Sequence, residues 1–259
     1  MAEMLQGKVV VITGAGAGIG LAMAQAFHAA GALVAMADLR HDTVERAAAD
    51  LGRERSFAGA VDVRDDTSVQ RFFAAAERAL GPVTIAVANA GIYPTRAVLD
   101  MEVEEWDRVI ETNLRGTFLT CQAAARSMMA GGRPGKIITV SSGAYVSARP
   151  GASHYCASKA GIVMFTKTLA MELADAHINV NCIAPGYIQL DPTAPDSEFR
   201  RALLKNIPWG RFGTPAEVAN IALFLASSAA DYVTGEVFAV NGGAFSGRMY
   251  LPLDTATAR

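Results

Sequence analysis

Short β-branched runs alternate with alanine-rich helical stretches along most of the chain, and this alternation constrains the fold more than any other feature. Lys8–Thr13, Ala32–Asp38, Ser56–Asp62, Val83–Asn89, Lys136–Ser142, Ile178–Ala184 and Val237–Val240 read as strands. Between them, Gly20–Ala30, Asp42–Leu51, Ser68–Leu80, Glu104–Ala130, His154–Ala174 and Ala216–Ala226 read as helices. Strand, helix and strand in turn imply a parallel sheet with right-handed crossovers and helices on both faces. The strand runs are apolar throughout, as expected when both faces of a sheet are buried. The expectation is an α/β fold, a doubly wound parallel sheet of about seven strands. No repeat, low-complexity segment or linker divides residues 1–259, which read as one domain with 51% hydrophobic residues to fill its core.

Charge and hydropathy exclude several function classes. A formal net charge of −2 gives no reason to expect nucleic acid or an anionic membrane as partner. Gly, Asp or Asn interrupt every apolar stretch well short of the ~18 residues of a membrane span. The start, Met1-Ala2-Glu3-Met4, lacks the basic and apolar regions of a signal peptide. Cys121, Cys156 and Cys182 are odd in number and lack metal-type spacing, so the reading is reduced thiols in a cytoplasmic protein, with no metal site.

Three local patterns carry chemistry. Thr13-Gly14-Ala15-Gly16-Ala17-Gly18-Ile19-Gly20 joins the first strand to the first helix. Glycines there let backbone approach a pyrophosphate at a helix N-terminus, where unpaired N–H groups favour anions. The order is Thr-Gly-x-x-x-Gly-x-Gly, not G-x-G-x-x-G. Asp38 ends the second strand twenty residues beyond Gly18, the spacing of a carboxylate that accepts ribose hydroxyls and repels a 2′-phosphate. Arg40 is the nearby cation that would oppose this preference. Tyr155 and Lys159, four residues apart, share a helix face, which places a cation beside a phenol whose ordinary pKa is about 10. Such a neighbour favours the phenolate and suits the pair to proton exchange nearer neutral pH.

Together with five further motifs, the chain resembles the short-chain dehydrogenase/reductase family in its common ~250-residue, NAD-preferring form, from Lys8 to about Gly243. The resemblance implies a Rossmann-type sheet. It implies cofactor contacts at Gly14, Gly18, Ile19, Gly20 and Asp38, and adenine contacts at Asp62 and Val63. The Asn89-Ala90-Gly91 motif closes the fourth strand, and Pro185, Gly186 and Ile188 pass the nicotinamide. It also implies a catalytic set of Asn113, Ser142, Tyr155 and Lys159, with Ser141 the alternative serine. Lys159 would also bond the nicotinamide ribose, and Asn113 would hold a water linking Lys159 to solvent. One departure is Leu190, where the family often has a Thr that holds the carboxamide.

On this reading Tyr155 is the acid or base, and Ser142, at the end of its strand, donates to the substrate oxygen. Tyr187–Gly210, with a short helix at Ser197–Lys205, reads as a lid. Tyr93, Tyr145, Arg149, Gln189 and Asp191 are candidate substrate contacts, and their polarity points to a hydroxylated substrate such as a sugar or polyol. The expected activity is hydride transfer between NAD and a secondary alcohol or ketone. The alternatives are a 3-oxoacyl-(acyl-carrier-protein) reductase-like enzyme and a non-catalytic NAD(H)-sensing protein. Val109, Leu114, Phe118, Ile162, Phe165 and Leu169 lie on more than one helix face, and with the resemblance this suggests a homotetramer. Ala244–Arg259 is a C-terminal extension whose apolar part, Phe245–Leu253, would pack at a subunit interface and reach a neighbour's cleft.

Overall fold

A computed structural model describes residues 4–191, 193 and 195–246. Its strands are Val9–Thr13 (β1), Leu33–Asp38 (β2), Ser56–Ala60 (β3), Val83–Ala88 (β4), Gly135–Val140 (β5), Ile178–Pro185 (β6) and Val237–Val240 (β7). They form one sheet in the order β3-β2-β1-β4-β5-β6-β7, with every neighbouring pair parallel. The chain builds outward from β1 to β3, then returns to place β4 on the other side of β1. That reversal opens a crevice at the carboxyl ends of β1 and β4, where sheets of this kind bind ligands.

The helices are Gly18–Ala29 (α1), His41–Leu51 (α2), Asp66–Leu80 (α3), Val103–Ile110 (α4), Gly116–Ala130 (α5), Ser153–Glu172 (α6), Glu198–Leu204 (α7) and Pro215–Ala226 (α8). Successive residues of a strand point to opposite faces, and β1 shows why its whole run is apolar. Val10 and Ile12 pack with Met23 and Phe27 of α1 and Val218 and Leu223 of α8. Val9 and Val11 pack with Phe72 and Phe73 of α3 and Leu119 and Met128 of α5. Burial of each such side chain contributes about 1.5–3 kcal/mol, and the two half-cores hold the strand ends, and hence the site, in fixed register.

Several element boundaries differ from the sequence expectation by a residue or two, and three of the differences have a local explanation. The stretch expected as one helix over Glu104–Ala130 starts at Val103 and is broken by a π-helical turn, Glu111–Arg115. Thr117 donates its hydroxyl to the Asn113 carbonyl at 2.7 Å, and such back-bonding competes with the regular ladder. Strand β3 stops at Ala60, not Asp62. Helix α3 begins at Asp66, before the expected Ser68, because the Asp65 carboxylate caps it by accepting the Thr67 N–H at 2.9 Å. The Ser68 hydroxyl instead accepts the Asp62 N–H.

The apolar residues expected at a subunit interface also sort differently. Val109, Ile162 and Leu169 are buried within the chain, Leu114 and Phe165 are half-buried, and Phe118 alone of the six is exposed. Met129 of α5 and Met164 and Met171 of α6 join Phe118 as exposed apolar side chains on these helices. Of the lid, Pro192 and Ala194 lie outside the described residues, and α7 is capped by Ser197, close to the expected helix. Of the C-terminal extension, only Ala244–Ser246 lies within the described residues. Among these residues no helix is long and apolar enough to cross a membrane.

Candidate active site

The turn after β1 is shaped by what its glycines leave out. Gly14 has φ +65°, and a Cβ there would lie 2.9 Å from the Ala90 Cα. A Cβ on Gly20 would collide with the Gly14 carbonyl oxygen, so α1 can approach the strand end only with glycine at that position. The residue before α1, Ala17, supplies no side-chain cap, and the first turn holds no acid. The leading N–H groups of α1 therefore lack a side-chain partner and suit an anion.

Asn89 fixes the other wall. Its amide donates to the carbonyls of Thr13 and Gly14 at 3.0 and 3.1 Å. The Thr13 hydroxyl accepts the N–H groups of Asn89 and Ala90 at 3.1 and 3.3 Å. Asn89 thus positions the turn through its side chain, a role that its motif assignment did not specify. Asp38, at the end of β2, accepts the Gly16 N–H through Oδ2 and the Arg40 N–H through Oδ1, both at 3.1 Å. The Arg40 side chain is 69% exposed and reaches Asp38 only at 3.9 Å.

Gly14, Gly18, Ile19, Gly20, Asp38, Asp62, Val63, Ala90 and Gly91 line a cleft of about 960 Å³ with Ser142, Tyr155, Lys159, Pro185, Gly186 and Ile188. The sequence-predicted cofactor residues therefore converge. A cradle of missing Cβ atoms, uncapped N–H groups and a carboxylate at the end of β2 fits a dinucleotide. Asp62 is constrained in a way the motif did not reveal, since Arg64 holds both its carboxylate oxygens at 2.9 and 2.6 Å. That side-chain bond keeps the Asp62 carboxyl below the usual carboxylate range. Leu190 is 61% exposed, and its side chain lies over Gly18.

The two candidate serines separate cleanly. Ser141 donates its buried hydroxyl to the Lys159 carbonyl at 2.7 Å, a structural bond. Ser142 accepts the Ala144 N–H and stands beside the Tyr155 phenol. Asn113 is fully buried, and its amide is engaged by the Ile92 backbone at 2.8 and 3.0 Å and by the Ser158 hydroxyl at 3.1 Å. Its side chain thus ties the loop after β4 to α6. Gly91, lacking a side chain, lets Asn113 Oδ1 and Lys159 Nζ stand close by.

The electrostatics of the pair differ from expectation. Lys159 donates Nζ to the Val140 carbonyl at 2.9 Å, and its Nζ is 5.6 Å from the Tyr155 ring centre. Burial lowers the Lys159 pKa to about 8. Burial also pushes Tyr155 above the ordinary phenol value, and the Ser142 hydroxyl and Arg149 guanidinium draw it partly back. Desolvation weakens the charged forms of both members of the pair, and Arg149 is a second cation near the phenol.

The substrate candidates divide. Tyr93 packs edge-on against Tyr155 with ring centres 4.4 Å apart, and Arg149 lies beside Tyr93. Tyr145 packs with Ile162 and Val163 instead. Gln189 lines a separate groove with Asp196 and Arg200, while Asp191 lines the main cleft. Sequence reasoning missed Tyr187 and placed Phe245 at a subunit interface. Phe245 lies instead against Gly143 and Tyr187 of its own chain. The one available signal was the position of Tyr187, directly after Pro185-Gly186. Among the described residues no group of acids, histidines and cysteines could hold a metal ion.

Lys159 yields a test independent of activity. A fall from 10.5 to about 8 corresponds to about 3 kcal/mol of destabilisation at neutral pH. The folded pKa is below the unfolded one, so between pH 8 and 10.5 the unfolded chain binds more protons and wild-type stability rises relative to a chain without the lysine. Lys159→Met should melt higher than wild type at pH 7, with the gap closing as pH rises through that window, while turnover is lost. A gap constant with pH in thermal melts would refute the buried-ammonium penalty.

Comparison with known proteins agrees with this geometry. Residues 14–244 match the family described as enoyl-(acyl carrier protein) reductase. The chain is 38% identical over 245 residues to the 3-oxoacyl-(acyl-carrier-protein) reductase FabG of Aquifex aeolicus, covering 93% of this chain and 98% of that protein. It is 41% identical over 238 residues to an NAD-dependent glycerol dehydrogenase of Listeria innocua, covering 91% and 93%. A crystal structure of a short-chain type dehydrogenase/reductase from Mycobacterium marinum superposes with a TM-score of 0.89 at 39% identity, covering 94% of this chain and 97% of that one. The likeness in sequence and fold thus extends over nearly the full length, and the chain belongs to the short-chain dehydrogenase/reductase family of oxidoreductases acting on CH–OH groups.

Proposed function

We propose that the protein interconverts a secondary alcohol and its ketone with NAD(H), acting on a small hydroxylated molecule, and that residues 1–259 work as one domain. The observation that carries the cofactor choice is Asp38. Its carboxylate is fixed by two backbone N–H groups at the cleft wall, and Arg40 turns largely to solvent. A 2′-phosphate beside that carboxylate meets like charge in a crowded site. The likeness to an NAD-dependent glycerol dehydrogenase supports the same choice. A second reading, reduction of a 3-oxoacyl thioester, draws on the relatives named 3-oxoacyl-(acyl-carrier-protein) reductase. A cofactor-sensing protein without catalysis would have no need of Ser142, Tyr155 and Lys159 together.

The dinucleotide, when bound, supplies the two-electron redox chemistry. The glycine turn and the start of α1 would hold its pyrophosphate, Asp38 its adenosine ribose, and Lys159 its second ribose. Tyr155 gives a proton to the substrate oxygen on reduction and takes it back on oxidation. Ser142 donates a hydrogen bond to the same oxygen, and Asn113 keeps the floor of the site in place. Near-complete burial of Lys159 and Ser142 limits the water that would weaken these interactions.

The reading extends to assembly in the cytoplasm as a homotetramer, through the exposed Phe118, Met164 and Met171 on α5 and α6. Light scattering at micromolar concentration should give four times the chain mass; a monomer would remove this part. In a panel of alcohols and ketones followed by NADH absorbance, kcat/KM with NAD should exceed that with NADP at least about tenfold, and Asp38→Asn should narrow the gap. Equal use of both cofactors by wild type would overturn the Asp38 argument. Tyr155→Phe should lower kcat by about 10²–10⁴-fold while NADH affinity is nearly kept. Retention of more than about a tenth of kcat would exclude Tyr155 as the proton carrier.

A further inference from the structure

Arg149 is a half-buried cation whose counter-charge is missing from the described residues. It takes part in none of the ion pairs formed by those residues, whereas Arg64, Arg96 and Arg211 each meet a carboxylate. Its guanidinium carbon lies 4.8 Å from the ring centre of Tyr187 and 5.9 Å from that of Tyr93. Its one hydrogen bond is a long donation from Nη1 to the Tyr93 hydroxyl at 3.5 Å. Stacking engages the faces of a guanidinium and leaves its in-plane N–H donors available. Five such donors arranged as a planar fork match a carboxylate better than any neutral group.

The position of this fork gives it a function. Tyr93, against which Arg149 lies, touches Tyr155 edge-on and lines the cleft. Tyr187, on the other side, is 5.8 Å from Phe245, whose ring covers Gly143 beside Ser142. A Cβ at position 143 would fall inside the Phe245 ring, so the wall is closed tightly there. The surroundings of Tyr155 and Ser142 are therefore aromatic, and Arg149 stands among these rings with no carboxylate partner among the described residues.

We propose that the substrate is a hydroxy or oxo acid whose oxyanion group, a carboxylate in preference to a phosphate, is bound by Arg149 while its alcohol or ketone oxygen meets Tyr155 and Ser142. This rests on the alcohol–ketone reading above and adds the charge of the substrate. On reduction the carbonyl carbon gains a hydride from NADH and its oxygen a proton from Tyr155, giving the hydroxy acid and NAD⁺. The requirement for a free anionic group separates this proposal from the thioester reading.

Two matched pairs of probes test it, acetoacetate against methyl acetoacetate and dihydroxyacetone phosphate against dihydroxyacetone. Calorimetric binding to enzyme saturated with oxidised dinucleotide, which cannot reduce a ketone, reads affinity apart from turnover. Reduction of each probe with NADH is measured in parallel. Acetoacetate should bind at least about tenfold more tightly than its ester, the scale of one charge-assisted hydrogen bond. Arg149→Gln should bring that ratio close to one, and Arg149→Lys should restore part of it. Discrimination only in the phosphate pair, again dependent on Arg149, keeps the anion site and replaces carboxylate with phosphate. A wild-type ratio near one in both pairs overturns the proposal without any variant. A ratio unchanged by Arg149→Gln, or equal losses for charged and neutral probes, also overturns it and leaves Arg149 as a neighbour tuning Tyr155. If the acid binds through Arg149 but no probe of either charge is reduced, the anion site stands and the dehydrogenase reading falls.

Discussion

Thr13 and Asn89 close the carboxyl ends of β1 and β4 around a shared set of hydrogen bonds, and the site depends on that closure. The two strands meet where the sheet reverses direction, so nothing in the ladder itself continues across the gap beyond them. Thr13 contributes one hydroxyl to the backbone of Val87, Asn89 and Ala90, and Asn89 returns its amide to Thr13 and Gly14. The glycine turn is held on one side by these bonds and on the other by Asp38, which takes the Gly16 N–H. Both walls of the glycine turn are thereby fixed before any ligand arrives, and less ordering entropy opposes binding.

Burial then sets the chemistry. Tyr155 and Lys159 have the same relative placement as on any helix with this spacing, yet the buried pair behaves differently from an exposed one. Loss of water raises the phenol and lowers the ammonium, so each shifts toward its neutral form. A charged or strongly dipolar ligand entering the cleft changes that balance, since it supplies the field that water no longer provides.

The parts legible in the sequence are those set by short spacings. Seven apolar runs, the glycine turn, Asp38 and the Tyr155–Lys159 interval were readable because a strand or a helix turn fixes their geometry, whereas Ser142, a loop away from Tyr155, was read from the family resemblance. The π-helical break at Glu111–Arg115 was not readable, and within it Asn113 bonds the distant Ile92 and Ser158, partners that no sequence spacing indicates. Asp62 shows a local failure: Arg64 is only two residues away, but nothing in the spacing says that its side chain folds back. The wall made by Tyr93, Arg149, Tyr187 and Phe245 draws on four separate loops. Tyr145 and Gln189, chosen on polarity, turned elsewhere, because polarity marks a residue as free to face solvent without choosing which solvent-facing surface it joins.

The seat of Phe245 on Gly143 links the last strand of the sheet to the serine loop more than a hundred residues earlier. During synthesis β1 through β6 emerge and can pair in order, each finding a neighbour already made or soon to follow. The wall beside Ser142 cannot form until β7 and the turn beyond it have left the ribosome. A chain ending before β7 would hold the glycine turn, Tyr155 and Lys159, and still lack the ring that packs on Gly143. The contact on Gly143 thus waits on synthesis of the chain as far as Phe245, and shorter products would lack it.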